Sequence, residues 1–93
     1  MENWKNIKGY EGLYKVSSYG RIMTVRKNAI LCPAKTISNG LTVSLSKNGK
    51  VEKKQVSRLV AAAFIPNPDN KPCVDHIDGV RFHNFVENLR WCT

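Results

Sequence analysis

The hydrophobic period of this chain changes at Val56, and that change constrains its fold more than any other feature. Before it, apolar and polar residues alternate over positions 41–45, and Asn48-Gly49, the strongest short signal for a hairpin turn, follows. After it, apolar residues recur with the helical period, at Val56, Leu59, Val60, Ala63 and Phe64. Pro66 and Pro68 then end the helix. We therefore predict an α+β fold in which hairpins precede one helix.

Two further strand regions are predicted on either side of this change. Residues 13–25 contain two β-type runs around Ser18-Tyr19-Gly20 and form a hairpin, and residues 30–32 form a short third strand that Pro33 ends. The two hairpins, rich in Lys and Arg, are expected to share one small antiparallel sheet with a basic face. Residues 72–76 form a short strand, Asp78-Gly79 a turn, and the segment 82–91 a return to the core.

The positive charge of the chain lies in its first half. The net charge is +8; residues 1–54 hold 11 Lys and Arg against 3 Asp and Glu, and residues 55–93 hold 4 against 4. A basic surface of this kind indicates a polyanionic partner. No apolar run reaches membrane-spanning length, no signal-peptide pattern is present, and no basic amphipathic helix favours a membrane surface. We therefore expect a cytoplasmic protein, in a bacterial or phage-infected cell, that has no membrane partner.

The three cysteines give no sign of a metal centre. Cys32, Cys73 and Cys92 are widely spaced and no Cys-x-x-Cys occurs, so no structural zinc is expected. We predict free thiols that are buried or partly buried.

Candidate chemistry is concentrated near the end of the chain, in Asp75-His76 and Asn88. A carboxylate suits a hard divalent cation, a histidine titrates near neutral pH, and a neutral amide can fix a neighbour by hydrogen bonds. Together these groups suit metal-assisted phosphodiester hydrolysis. Each also has an ordinary interpretation: a surface pair or turn cap for Asp75 and His76, and a cap or Asx-turn for Asn88. His83 is expected to be a solvated side chain.

Two blocks of sequence carry a resemblance to a known family. Residues 56–65, followed by Asp75-His76-Ile77-Asp78-Gly79, Asn84 and the segment 88–93, resemble the HNH endonucleases, in the branch found in phage and intron-borne homing endonucleases. Residues 4–22 resemble the small nuclease-associated modular DNA-binding motif that often precedes that core. The blocks occur in the expected order, and they suggest a basic β region at 1–54 and a nuclease core at 55–93, packed as one compact unit.

The resemblance implies a ββα-metal (His-Me finger) motif and a role for each site residue. His76 would be the general base, Asp75 a metal ligand, and Asn88 the residue that holds the histidine in place. The implied cofactor is a divalent metal, Mg²⁺ with Mn²⁺ as a substitute, and no small-molecule cofactor. The family's third signature residue and final helix would lie beyond Thr93, so we expect an incomplete motif and weak or no cleavage by residues 1–93 alone.

The leading hypothesis is thus a metal-dependent HNH endonuclease that cuts double-stranded DNA. The alternative is a DNA-binding module that does not cleave, and a third option is a domain used for protein contacts. Phosphate contacts are predicted for Arg21, Arg26, Lys27, Lys47, Lys50, Lys53, Lys54 and Arg81. Arg90 is either a further phosphate contact or an ion-paired side chain. Core positions are predicted for Trp4, Tyr10, Tyr14, Phe64, Phe85 and Trp91.

Overall fold

The computed structural model of the chain describes residues 2–36 and 40–93, which form three antiparallel sheets and one α-helix. The helix α1 spans Val56–Phe64, and a 3-10 helix spans Val86–Asn88. The strands are β1 (Trp4–Asn6), β2 (Tyr14–Ser17), β3 (Ile22–Thr24), β4 (Ala29–Ile30), β5 (Ala34–Thr36), β6 (Gly40–Lys47), β7 (Lys50–Gln55), β8 (Cys73–His76) and β9 (Leu89–Cys92). No helix in this part of the chain is both long and apolar enough to cross a membrane.

The first sheet has the order β1-β2-β3-β4 and contains the hairpin predicted at 13–25. Strands β2 and β3 pair with Tyr14 opposite Thr24 and Val16 opposite Ile22, which confirms that prediction. The third strand is β4, which begins one residue earlier than predicted and holds two residues. It starts at Ala29 because Asn28 takes a left-handed turn conformation, with φ of 50°.

The second sheet has the order β5-β6-β7, and its hairpin is the one that Asn48-Gly49 predicts. Both turn residues have positive φ, 53° and 78°, as a type I′ turn requires. The two hairpins therefore belong to separate sheets, and the prediction of one shared sheet is wrong. The reason lies in packing: each hairpin has its own apolar face, Val16 and Ile22 in one and Val43 and Leu45 in the other, and both faces join one core.

Helix α1 forms where the periodicity predicts it and presents its apolar face to that core. The fully or nearly fully buried apolar side chains are Ile7, Val16, Ile22, Val43, Leu45, Val56, Val60 and Leu89. Tyr10, Tyr14 and Phe64 are partly buried against them. Phe85 is 38% exposed, so its predicted core position is wrong. It precedes the 3-10 helix, and its ring lies beside the ring of His83, with 6.0 Å between the centroids.

The third sheet is the β8–β9 hairpin, which packs on the end of α1. Trp91 lies on β9, and its Nε1–H donates to the carbonyl of Ile65 at 3.0 Å, just past the end of the helix. The segment 77–88, called the hairpin loop below, packs on the first sheet's turn through the Val86 N–H, which donates to Ser18 O at 2.9 Å. The hairpin and the N-terminal sheet are thus in direct contact.

The thiols are free, but the predicted burial or partial burial is wrong for two of the three. Cys32 and Cys73 are exposed, and Cys92 is partly buried. Cys73 is exposed because it lies on the outer face of β8, next to the chain turn at Pro72.

Candidate active site

Strand β8 presents Asp75 and His76 on opposite faces, because successive side chains of a strand alternate. Asp75 lies opposite Arg90 of β9, and the Nε and Nη2 groups of Arg90 both donate to Asp75 Oδ2 at 2.9 Å. His76 lies opposite Leu89, which is buried, so the imidazole belongs to the inner face. The strand ends at His76. The carboxylate and the imidazole are therefore adjacent in sequence but face different ways.

The side chain that contacts the imidazole is Asn84. His76 Nε2 lies 2.8 Å from Asn84 Oδ1. Since an amide oxygen only accepts hydrogen bonds, Nε2 carries the proton of the neutral ring and Nδ1 keeps its lone pair. Nδ1 is then the atom that could take a proton from water. The sequence singles out Asn84 only as part of the family resemblance, without a role.

Asn84 is itself held tightly in the fold. It is 4% exposed, and its Nδ2 group has no hydrogen-bond partner among the described residues. The side chain contacts the candidate site through its Oδ1, which faces the imidazole of His76.

Asn88 makes no direct hydrogen bond to the imidazole, and its contacts lie in the loop that follows His76. Its Nδ2 donates to Asp78 Oδ1 at 3.0 Å and to the His83 carbonyl at 2.9 Å, and its Oδ1 accepts from the Asp78 N–H at 3.0 Å. Its carbonyl accepts the Ile77 N–H at 2.8 Å. The reason is that Asn88 reaches across the base of the hairpin loop, so it fixes the backbone that follows His76.

Asp78 is the second anchor of the hairpin loop, although the sequence predicts only a turn there. Its carboxylate accepts from His83 Nδ1 at 2.7 Å, from the Val80 N–H at 2.8 Å and from Asn88. These hydrogen bonds, the one from His83 first, lower the pKa of Asp78 to about 2. The hydrogen bond to the Val80 N–H is a local Asx-turn that an Asp-Gly sequence predicts. The contacts with His83 and Asn88 form only when the loop is closed, so the sequence does not predict them.

The described residues do not form a complete metal centre. Residues 2–36 and 40–93 contain no group of three His, Cys, Asp or Glu side chains that could hold a cation. Asp75 is the carboxylate adjacent to His76 in sequence, and Arg90 already occupies one of its oxygens. Asp75 is thus suited to be one ligand of a divalent cation, with the rest of the coordination sphere supplied by other groups or water.

Three of the residues predicted to contact DNA are engaged within the chain. Arg21 forms a salt bridge with Glu2, which raises the pKa of the guanidinium. Lys47 Nζ donates to the Gly9 carbonyl at 2.6 Å. Lys54 Nζ lies 2.9 Å from Glu52 Oε2, and this pairing raises the pKa of Lys54. Such exposed contacts are weak and can be exchanged for phosphate.

The lysines of the second hairpin do not share one basic face, and that prediction is wrong. Lys54 lies opposite the core residue Val43, whereas Lys53 lies opposite Ser44, on the other side of the sheet. Directly opposite residues share a face, so the register places Lys53 away from Lys54.

The remaining predicted contacts lie in other places on the surface. Lys50 and Lys53 are exposed on β7, and Arg26 and Lys27 are exposed in a groove between the two sheets that Tyr14 and Ser46 also line. Arg81 is exposed on the hairpin loop, where its backbone approaches Gly40. The basic residues thus border several edges of the molecule rather than one face.

Comparisons with known proteins give relatives for both blocks of the chain. Residues 2–58 match the NUMOD4 motif. The DNA endonuclease I-HmuI of Bacillus phage SP01 is 39% identical over 90 residues, which cover 97% of this chain and 52% of that protein. An uncharacterized HNH endonuclease, L245, of Acanthamoeba polyphaga mimivirus is 39% identical over 80 residues, 86% of this chain and 24% of that protein. The chain thus spans about half the length of I-HmuI and less of the mimivirus relative.

A solved structure agrees with the sequence comparison. It is described as DNA binding and cleavage by the HNH homing endonuclease I-HmuI, and it superposes with a TM-score of 0.90 at 39% identity over 98% of this chain and 52% of that one. The likeness confirms an α+β fold of antiparallel sheets and one helix. The names of the relatives confirm the resemblance to HNH endonucleases and to the nuclease-associated motif. Since the matched motif takes up more than half of the sequence, this chain belongs to the NUMOD4 motif family.

Proposed function

We propose that this chain is part of an HNH endonuclease that hydrolyses phosphodiester bonds in double-stranded DNA with the help of a divalent metal. The observation that carries the proposal is the β8–β9 hairpin. Its first strand ends in His76, and Asn84 in its loop contacts the ring. The hairpin lies in a fold shared with an endonuclease whose structure is described as DNA binding and cleavage. The basic N-terminal half supports a nucleic acid as the partner.

His76 is the proposed general base. With Nε2–H directed at Asn84, Nδ1 accepts the proton of a water molecule whose oxygen attacks the phosphorus. The phosphorus–oxygen bond to the leaving group then breaks, and the leaving oxygen takes a proton from solvent. Asn84 prevents the ring from turning, and Asn88 fixes the backbone after His76 through Ile77 and Asp78.

Asp75 is the proposed protein ligand for the cation, Mg²⁺ or Mn²⁺. Because β8 ends at His76, a phosphate at the end of the strand could meet both groups, and a divalent cation bound to Asp75 would stabilise the negative charge that develops on it. Because Arg90 shares the carboxylate, Asp75 is held in one orientation on the outer face of the hairpin. Arg90 is thus an ion-paired residue in the free protein, as one of the two predicted interpretations has it.

The test is a nicking assay on supercoiled plasmid with Mg²⁺ or Mn²⁺, using the protein in its natural full length. His76→Ala is expected to slow nicking by about 10²- to 10⁴-fold, the usual contribution of a general base. Plasmid binding, measured in Ca²⁺ by gel shift, is expected to stay unchanged. Arg58→Ala is the control, since Arg58 lies on α1, outside the hairpin and the β-sheets.

Two results would count against the proposal. Nicking by His76→Ala at the unsubstituted rate would remove His76 as the base. Full-length protein that binds the plasmid and leaves it intact with both metals would favour the second candidate, a DNA-binding module. That candidate draws its support from the engagement of Asp75 by Arg90 and from the lack of a three-ligand group among the described residues.

A further inference from the structure

Two cysteines face each other on the hairpin that carries the candidate site. Cys73 begins β8, Cys92 ends β9, and the strand register pairs them directly. Both thiols are free, Cys73 is exposed, and Cys92 is partly buried. The proposed mechanism uses neither of them. The third cysteine, Cys32, lies between β4 and β5 and serves as an internal comparison.

The register pairs the two cysteines at a backbone spacing that a disulfide can bridge. Ile77 and Asn88 form a hydrogen-bonded pair, since the Ile77 N–H donates to the Asn88 carbonyl. Hydrogen-bonded pairs recur at every second position of an antiparallel ladder, so Cys73 and Cys92, four positions away, are also such a pair. Cα atoms in such pairs are about 5.5 Å apart, and disulfides join Cα atoms about 4.4 to 6.8 Å apart. Directly opposite residues also share a face of the sheet, so both sulfurs lie on the outer side.

The position at the open end of the ribbon favours the bond further. The pair is the last one in the two-stranded sheet, on the side away from the hairpin loop. Pro72, which precedes β8, has no N–H to donate to the ladder, so the backbone at this end of β8 can adjust by the small amount that a sulfur–sulfur bond needs. A pair in the middle of a sheet would have to distort its neighbours on both sides.

We propose that Cys73 and Cys92 form a reversible intramolecular disulfide when the protein meets a disulfide oxidant such as oxidised glutathione. The segment that this bond closes contains Asp75, His76, Asn84 and Asn88, which is the whole candidate site. In a reducing compartment the bond is transient, as such bonds are there. The thiol pair is thus a redox-sensitive modification site at the base of the catalytic hairpin.

Oxidised glutathione is the only co-reactant that this disulfide needs. The sulfur of one cysteine attacks oxidised glutathione and forms a mixed disulfide, which releases one reduced glutathione. The sulfur of the second cysteine attacks the first cysteine's sulfur and releases the other glutathione. Two thiols lose two electrons and two protons, and one glutathione disulfide becomes two thiols.

The test measures thiols and cross-links directly and needs no activity. The protein is incubated with increasing ratios of oxidised to reduced glutathione, quenched with an alkylating reagent and digested with trypsin. Trypsin cuts after Arg58, Arg81 and Arg90, so the disulfide joins peptide 59–81 to a peptide that starts at Trp91. The variants are Cys73→Ser, Cys92→Ser and, as the matched control that keeps the pair, Cys32→Ser.

The expected result is the cross-linked peptide in the unsubstituted protein and in Cys32→Ser alike. Because ring closure is intramolecular, it should appear at about tenfold lower oxidant ratio than the glutathione adduct on Cys32. Cys73→Ser should carry a glutathione adduct on Cys92 instead. The proposal is overturned if the unsubstituted protein carries only adducts at Cys73 and Cys92, if cross-links to Cys32 are equally abundant, or if only linked dimers form. None of these outcomes depends on whether the protein cleaves DNA.

Discussion

One hydrogen bond at His76 decides which nitrogen of the neutral ring carries the proton. Asn84 Oδ1 accepts from Nε2, so Nδ1 is left as the basic nitrogen. Without that acceptor, either ring nitrogen could carry the proton of the neutral imidazole. The geometry of this pair can therefore be tested without any cleavage assay.

Asn84→Ala is expected to release the neutral His76 ring from a single tautomer, because the amide oxygen that accepts from Nε2 is removed. Asn84→Asp keeps an acceptor oxygen at the same place and is the matched comparison. The measurement is the ¹⁵N chemical shifts of the two His76 ring nitrogens, which differ between a nitrogen that carries a proton and one that does not. Equal shifts in the unsubstituted protein and in Asn84→Ala would show that the two side chains do not interact.

Asp78 gives the stability of the hairpin loop a predictable pH dependence. Its pKa is lowered from 3.8 to about 2 by His83, Val80 and Asn88. A lowered pKa in the folded state contributes stability that is complete above the ordinary value and is lost as pH falls through the folded value. The relevant window is therefore about pH 4 down to pH 2.

Asp78→Asn is expected to lower the unfolding temperature at neutral pH, and the difference from the unsubstituted protein should shrink as pH falls through that window. Asparagine keeps a side-chain oxygen for the Val80 N–H but removes the charge that His83 contacts. Thermal unfolding by circular dichroism at several pH values measures the difference, with Asp69→Asn, at an exposed turn position, as the control. A difference that stayed constant down to pH 2 would contradict the assignment.

At the scale of elements, the turn between β2 and β3 supports the hairpin loop at close range. Gly20 has φ of 86°, and a Cβ added there would lie 2.7 Å from the carbonyl oxygen of Asn84. Only glycine fits both demands, since the conformation disfavours other residues and the space is already filled by backbone. The turn of the first sheet thus helps to position the residue that contacts His76.

Gly20→Ala is expected to destabilise the fold more than Gly12→Ala. Both positions have positive φ, which costs an alanine about 1 to 2 kcal/mol, but a Cβ at Gly12 meets nothing within 4 Å. The excess at Gly20, from overpacking against Asn84, should be about 1 to 3 kcal/mol. Urea unfolding of the two variants measures it, and equal losses would mean that the loop moves aside without cost.

The elements predicted from sequence are those whose signals are local. Asn48-Gly49 specifies its turn through positive φ, and the apolar spacing after Val56 specifies α1. The separation of the hairpins into two sheets was not predictable in this way, because it depends on how their apolar faces meet one core. The roles of Asn84 and Asp78 were missed for the same reason: their partners are set by loop closure.

For the whole molecule, the distribution of charge is more informative than its sum. The net charge of +8 lies in residues 1–54. Within that region, however, Arg21, Lys47 and Lys54 have partners in the chain. Lys53 also lies on the opposite side of its sheet from Lys54. DNA contacts are therefore expected from residues along the edges of the sheets, which would suit a backbone-tracking mode of binding.

Affinity for duplex DNA is expected to fall steeply with salt, with a logarithmic slope of about −0.9 for each phosphate contacted. The double variant Lys47→Ala/Lys50→Ala should flatten that slope by about 2, because both side chains are exposed and the register pairs them directly on one face of the hairpin. Fluorescence anisotropy on a short duplex over a range of KCl concentrations measures the slope, and Arg58→Ala is the control. Affinity that does not respond to salt would exclude phosphate contacts as its source.

The contact of Gly20 and Ser18 with the hairpin loop also limits how such proteins can be recombined. In a chimera that joins a foreign N-terminal motif to this hairpin at residue 58, the donor's turn replaces Ser18 and Gly20 as the surface on which the hairpin loop packs. A donor with a bulkier residue in place of Gly20 would push Asn84 away from the imidazole even if every residue of the hairpin were native. Exchange of the N-terminal motif, whether in the laboratory or in evolution, is therefore restricted to donors that retain this turn.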